Sequence, residues 1–277
     1  MSTLNQHIKR AEAKWLNHIE QHLKVLYNEV HLPSHDMYHH LRVWRICKKL
    51  MWEIDSFGHQ IDSDTPEQLI VASMFHDTGL ILDKSEKHGY QSRILCRNFI
   101  AQNHKIQVNN LDLVLDAIEH HDDKSIKIQP EIIQNPPKDI LTLLSTADDL
   151  DAFGYVGVFR YLEIYLLRGV SLNDIPRKVL KNLDNRITNF SNNYSMLKGF
   201  HKNQVDRCAI TQRFYCGLES EYASKHAGDL SFITDLLVKH LVNDKEDIKT
   251  VITHGLLSLQ SSVLIDFFIS LKEELEL

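Results

Sequence analysis

Four short stretches carry side chains suited to gripping a divalent cation: "HDMYHHLRVW" (35–44), "FHDTG" (75–79), "AIEHHDD" (117–123) and "TADDLDAFG" (146–154). Neutral imidazole and ionised carboxylate are the ligands a divalent metal of intermediate hardness takes. His76 and Asp77 close the apolar run "ASMF", where burial of a polar or charged group is costly unless it is partnered. Neighbours on a helix point about 100° apart. Both can still reach one ion from a helix end, or Asp77 can lie between two. Asp148 and Asp151 are three apart and share a helix face, so one can bind metal while the other orients a histidine. Taken singly each signal is weak. A lone His–Asp pair is ordinarily structural or on the surface, and His35–Asp36 reads as a helix cap that supports the site at most. The order and context of the four together are more specific.

The elements that must position these groups read as helices throughout. Glycine and proline are scarce, ten and six, and no alternating strand pattern, repeat or low-complexity tract stands out. Trp15, Ile19, Leu23 and Leu26 form one stripe of an opening helix. "LPSHD" breaks it, with Ser34 and Asp36 as caps for a helix from about Met37 to Ile54. That helix has Val43, Cys47, Leu50 and Ile54 as its inner stripe. Pro66 suits the first turn of a helix carrying "EQLIVASMFHD". Further helices are "SEKHGYQSRILCRNFIAQN", "NNLDLVLDAIEHH" (capped by Asn109 or Asn110), "ILTLLSTADDLDAFG", "YVGVFRYLEIYLLRG" and "NDIPRKVLKNLDNRI". A polar loop, "DDKSIKIQPEIIQNPPKD", precedes the third of these. The fold class is all-α. Residues 1–225 read as the domain that carries the chemistry, and 226–277 as a C-terminal helical appendage. In the appendage, stripes such as Leu256, Leu257, Leu264 and Phe268 read as packing on the core or a homodimer seam.

Bulk properties narrow the function classes. A net charge of −6 without blocks of like charge speaks against nucleic acid as the main partner, since backbone binding leaves a basic footprint. A small basic pocket for a phosphorylated metabolite stays compatible with it. Cys47, Cys96, Cys208 and Cys216 show no CxxC spacing and read as reduced thiols of a cytoplasmic protein. No secretory h-region opens the chain, and no run approaches the roughly 20 apolar residues of a membrane span.

At this point the motifs resemble a family. "HDMYHHLRV" resembles the HDxxHxxRV opening of the HD-domain superfamily, the metal-dependent phosphohydrolases. "FHDTG" resembles its His-Asp doublet and "TADDLDAFG" its later AD-x-LDA-x-G segment. The resemblance runs over about residues 31 to 225, ending in "QVDRCAITQRFYCGLESEY", which is similar to the closing helix of bacterial HD-domain hydrolases. It implies an HD-domain helical bundle with a C-terminal extension. It implies His39, His76, Asp77 and Asp148 as metal ligands, choosing His39 over His40 and Asp148 over Asp149. Asp151 matches a supporting position.

Some members hold a second ion with two further histidines. His88 and His121 sit where those would be, with His120 beside His121 as a supporting residue. The bland reading of His88 is a solvated helix-start residue. The set accepts Mn, Fe, Co, Ni, Zn or Mg, as one ion or two; with two, Asp77 is the natural bridge. The implied reaction is hydrolysis of a phosphate ester, of a nucleotide or other small phosphorylated metabolite. A metal-activated water attacks phosphorus in line, with Asp77 or a nearby carboxylate taking its proton. Arg42, three residues after His39, is the first choice for balancing the phosphate, then Lys87, then Lys124. Two other readings compete: a di-iron oxygenase of the same superfamily, for which twelve residues from His76 to His88 is a short gap, and a non-catalytic nucleotide-binding module.

Overall fold

The computed structural model describes residues 3–85, 87–103, 107–123, 134–225, 227–258 and 261–275. Among them there are twelve α-helices and no strand, so the all-α expectation holds. No helix among the described residues is long and apolar enough to cross a membrane. The four cysteines are free thiols. Lys124 and most of the expected polar loop lie outside the described residues.

By contacts the chain parts into two compact units, residues Met1–Asp151 with Asn189–His201, and Ala152–Thr188 with Lys202–Leu277. The first holds α1 (Thr3–Leu26), α2 (Met37–Ser56), α3 (Thr65–Phe75), a 3-10 turn (Thr78–Ile81), α4 (His88–Gln102), α5 (Leu111–His120) and α6 (Ile140–Asp151). Its centre is α3. Every residue from Leu69 to Phe75 is buried, as expected of a helix apolar on all sides. Helices α1, α2, α5 and α6 pack around it. Trp15, Ile19 and Leu23 of α1 are fully buried, and so is the whole Val43, Cys47, Leu50, Ile54 stripe of α2. Each buried Val, Leu or Ile among them contributes about 1.5–3 kcal/mol. Leu26 is only half-buried. The indole of Trp15 also donates to Glu67 of α3 at 2.9 Å, and that of Trp44 to Glu12 of α1 at 3.0 Å. These bonds fix the rotation of α1 on its neighbours.

Caps place the helix ends that matter. Asp36 caps α2 as expected, its carboxylate accepting from the backbone N–H of Tyr38 and His39. Asn110 precedes α5 but caps it with no side-chain bond, sitting instead in the left-handed region at φ 54°. Two glycines bring the 3-10 turn and α5 onto α4. A Cβ on Gly79 would lie 2.0 Å from the His88 carbonyl oxygen, and one on Gly89 would lie 2.2 Å from that of Glu119. Neither approach tolerates a side chain.

The second unit holds α7 (Gly154–Leu167), α10 (Asp229–Leu237), a π-helical segment (Val238–Asn243), α11 (Ile248–Leu257) and α12 (Ser262–Leu275); α8 (Ile175–Tyr194) and α9 (Lys198–Ser224) contribute to both. Leu264 and Phe268 of α12 are buried, whereas Leu257 is exposed. Helix α12 packs on α7 and α11, so the inner part of that stripe is core of this unit.

Candidate metal centre

Six side chains from the four motifs and α4 converge in the first unit. His39 comes from the first turn of α2, and His76 and Asp77 from the end of α3. His88 opens α4, His121 closes α5, and Asp148 lies in α6. All six are buried. His39, His76, Asp77 and Asp148 offer ligand atoms within 4.8 Å of one another; Asp77, His88 and His121 form a second such group.

Asp77 stands between them. Its Oδ2 lies 3.1 Å from His39 Nε2 and 3.3 Å from His76 Nε2. Its Oδ1 lies 3.0 Å from His88 Nε2 and 3.1 Å from His121 Nε2. The remaining separations are 3.1 Å between the Nε2 atoms of His39 and His76, and 3.5 and 3.7 Å from those atoms to Asp148 Oδ1. Two donors about 2.1 Å from one ion lie roughly 3.0 Å apart at a right angle and roughly 3.4 Å apart at the tetrahedral angle. The spacing fits.

The hydrogen bonds on the far side of each ring explain why it fits. His76 Nδ1 bonds the Ser73 carbonyl, His88 Nδ1 that of Ser85, and His121 Nδ1 that of Ile118, each at 2.8 Å. His39 Nδ1 bonds Asp151 Oδ2 at 2.8 Å. A carbonyl or carboxylate only accepts, so each of these bonds puts the proton on Nδ1. In the neutral ring all four Nε2 lone pairs then aim at carboxylate oxygens. Lone pairs facing lone pairs repel unless a cation or a proton lies between them. His88 Nε2 makes no hydrogen bond despite its 3.0 Å approach to Asp77. The donor set, the tautomer and the outer support all fit a divalent ion.

The charges follow. Burial would raise the Asp77 carboxyl, but His76, His121 and His39 hold it well below its usual range. Burial lowers His76, and the carboxylates of Asp77 and Asp148 overcome it and bring the ring up to about 10. His88 is raised too, its burial outweighed by Asp77. A proton and a divalent ion compete for the same His76 lone pair.

Register is settled by packing. His40, beside His39, turns away: its Nδ1 lies 3.2 Å from the Ser73 carbonyl and its Nε2 2.8 Å from the Tyr27 hydroxyl. Desolvation holds it well below its usual value. Asp148 rather than Asp149 belongs to the convergent group. His121 is buried in the cluster, while His120 is half-exposed on the wall of an adjoining cleft. Ser145 of α6 donates to the His121 carbonyl at 2.8 Å and fixes that helix end. His88 is 3% exposed, which displaces the reading of a solvated helix start.

Arg42 stands differently from expectation. It is buried, and its Nε and Nη2 close a bidentate pair with the Asp151 carboxylate at 2.8 and 3.0 Å. Those donors face Asp151, which in turn holds His39. Lys87 is exposed and lines the cleft of roughly 550 Å³ with His88, Tyr90, His120, His121 and Asp122. His35, read with Asp36 as a cap that supports the site at most, lies close to the cluster. It is buried, its Nδ1 lies 2.6 Å from the Ser34 hydroxyl, and its Nε2 lies 3.9 Å from Asp77 Oδ2. No spacing distinguished it from the cap it adjoins.

Residues 37–153 match the family model of the HD domain, a stretch that contains all six convergent side chains. Over that stretch the chain is similar to the HD domain, and the match supports membership of that superfamily, whose members are in general metal-dependent hydrolases. The sequence resemblance is drawn to about residue 225; the family match ends at Phe153. No curated protein and no solved structure matches the chain.

Proposed function

We propose that this protein is a metal-dependent phosphohydrolase that cleaves a phosphate ester of a small metabolite, a nucleotide among the candidates. His39, His76, Asp77 and Asp148 would hold one divalent ion, and Asp77, His88 and His121 a second. One observation carries the reading: the two oxygens of Asp77 each face a different pair of imidazole nitrogens, the arrangement of a carboxylate shared between two ions. The chemistry such ions supply when bound is Lewis acidity toward a water and toward a phosphoryl oxygen.

The chain's own groups account for the rest. Arg42 and Asp151 act as positioning residues, a buried ion pair that fixes the ring plane of His39. Carbonyl acceptors at Ser73, Ser85 and Ile118 do the same for the other rings. Lys87 stands at the cleft as the cation for a substrate phosphate. The cleft's volume falls in the range that small ligands occupy, which favours a metabolite over a polymer.

The test is a screen of phosphorylated metabolites with Mn, Fe, Co, Ni, Zn and Mg, using Asp77→Ala as control. Phosphate release that needs added metal, proceeds equally under air and argon, and falls at least about 100-fold in Asp77→Ala supports the reading. Turnover that requires dioxygen would move the protein to the oxygenase branch of the superfamily. Bound metal and bound nucleotide without phosphate release would make it a binding module.

A further inference from the structure

A second cluster of metal-ligating side chains lies in the second unit and shares no residue with the centre around Asp77. His240 sits in the π-helical segment Val238–Asn243, Glu246 in the turn that follows, and His254 on α11. Glu246 Oε2 lies 3.2 Å from His240 Nδ1 and 3.2 Å from His254 Nε2. Asp244 Oδ2 adds a fourth donor atom, 3.5 Å from His240 Nδ1.

The backbone is bent to bring these groups together. A π-helical turn is rare and is found frequently at functional positions. Here its last bonds run from the Asp244 N–H to the Lys239 carbonyl and from the Glu246 N–H to the His240 carbonyl, both 2.9 Å. They fold Glu246 back over His240. Asp247 then caps α11 through the N–H groups of Lys249 and Thr250, and two turns later His254 faces the same carboxylate.

The polar atoms are close but unsatisfied. His240 Nδ1 and Glu246 Oε2 are both buried and make no hydrogen bond. Buried polar atoms ordinarily find a partner, and each exception calls for an explanation such as an ion. Two histidines and a carboxylate suit Zn²⁺ and its late first-row neighbours better than Mg²⁺ or Ca²⁺, which take oxygen. Each of the two His–Glu separations, 3.2 Å, lies between the right-angle and tetrahedral spacings of two ligands on one ion.

We propose that His240, Glu246 and His254, with Asp244 at the rim, form a second, structural site for Zn²⁺ or a similar late transition-metal ion, which clips the π-helical segment to α11. The two imidazoles stack, with centroids 4.3 Å apart and planes 17° from parallel. Bringing both lone pairs onto one ion therefore requires one ring to turn. His254, 43% exposed, is the one with room.

The test uses the full chain carrying Asp77→Ala, so that binding at the first centre is crippled. Zn²⁺ is titrated by equilibrium dialysis with elemental analysis, and Co²⁺ by its visible absorption. One equivalent of Zn²⁺ is expected, with a Co²⁺ spectrum of low coordination number. Adding His254→Gln or Glu246→Gln should each weaken it at least 10-fold, and Asp244→Asn less. Zn²⁺ should raise the Tm of the Asp77→Ala chain but not of its His254→Gln derivative. If Glu246→Gln fails to fold, as judged by far-ultraviolet circular dichroism, the half-exposed His254→Gln carries the test. The proposal is overturned if the Asp77→Ala chain takes up no ion, or takes up one whose affinity and spectrum are the same in His254→Gln. In the latter case the ion belongs to what remains of the first centre. Loss of phosphatase activity in the otherwise wild-type Asp77→Ala chain speaks to the first centre alone and leaves this outcome independent.

Discussion

Asp77 faces four imidazoles and has no spare lone pair, so a change there removes both ligand groups at once. The residues behind the ring of His39 offer a finer test. If Arg42 touched substrate, Arg42→Gln would raise KM and leave metal affinity alone. As a positioning residue acting through Asp151, it should instead weaken metal binding about 10–100-fold, the usual effect of losing such an outer partner, with KM nearly unchanged. Chelator competition and steady-state kinetics read the two quantities separately. Asp151→Asn should show the same loss of affinity and a further cost of about 1–3 kcal/mol in folding, because it takes a charged, bidentate acceptor away from the buried Arg42 guanidinium; urea denaturation measures that. His88→Ala is expected to remove one ion of two while His39, His76 and Asp148 retain the other, a halving of bound metal by elemental analysis.

At the scale of elements, the centre depends on how closely α4 approaches the 3-10 turn and α5. His88 reaches Asp77 because Gly79 lets the turn lie against the first residues of α4, and because Ser92 Oγ accepts from the Gly79 N–H at 2.8 Å. Gly79→Ala should cost about 1–3 kcal/mol of stability through overpacking. It should also push His88 away, lowering metal stoichiometry while the His39, His76, Asp148 group survives. Gly79→Ala that kept full stoichiometry would show that this approach is not what places His88. Much of this scale was legible in the sequence. The apolar stripes of α1 and α2 and the Asp36 cap are local patterns set by helical period and by one carboxylate. The cap of α5 was not legible, because Asn110 takes a left-handed conformation instead of bonding through its side chain.

For the whole molecule, metal binding and protonation are linked. The His76 ring, brought to about 10 by Asp77 and Asp148 against an ordinary value near 6.5, contributes stability that is present in full below about pH 6.5. That contribution is lost as pH rises through about 10. Between those limits an ion must displace the proton. Metal uptake at neutral pH should therefore release close to one proton from His76, and apparent affinity should rise with pH up to about 10. Calorimetry in two buffers of different ionisation enthalpy checks the first, and titrations at several pH values the second. Because the ion binds only the folded chain, saturating metal should also raise Tm, by an amount that grows with the logarithm of free metal.

The sequence by itself determined the helical class and the order of the motifs, because helical period, caps and motif spacing are properties of neighbours along the chain; its resemblance to a family pointed to the residues of the centre. It could not decide between His39 and His40 or between Asp148 and Asp149 on periodicity, nor turn Arg42 from a substrate cation into the support of Asp151. It saw nothing at all in His240, Glu246 and His254. Those outcomes belong to the tertiary structure, since each depends on which side chain across the fold occupies the space that a given ring or carboxylate faces. Proximity of that kind is made by packing between segments far apart in sequence, and no local pattern records it.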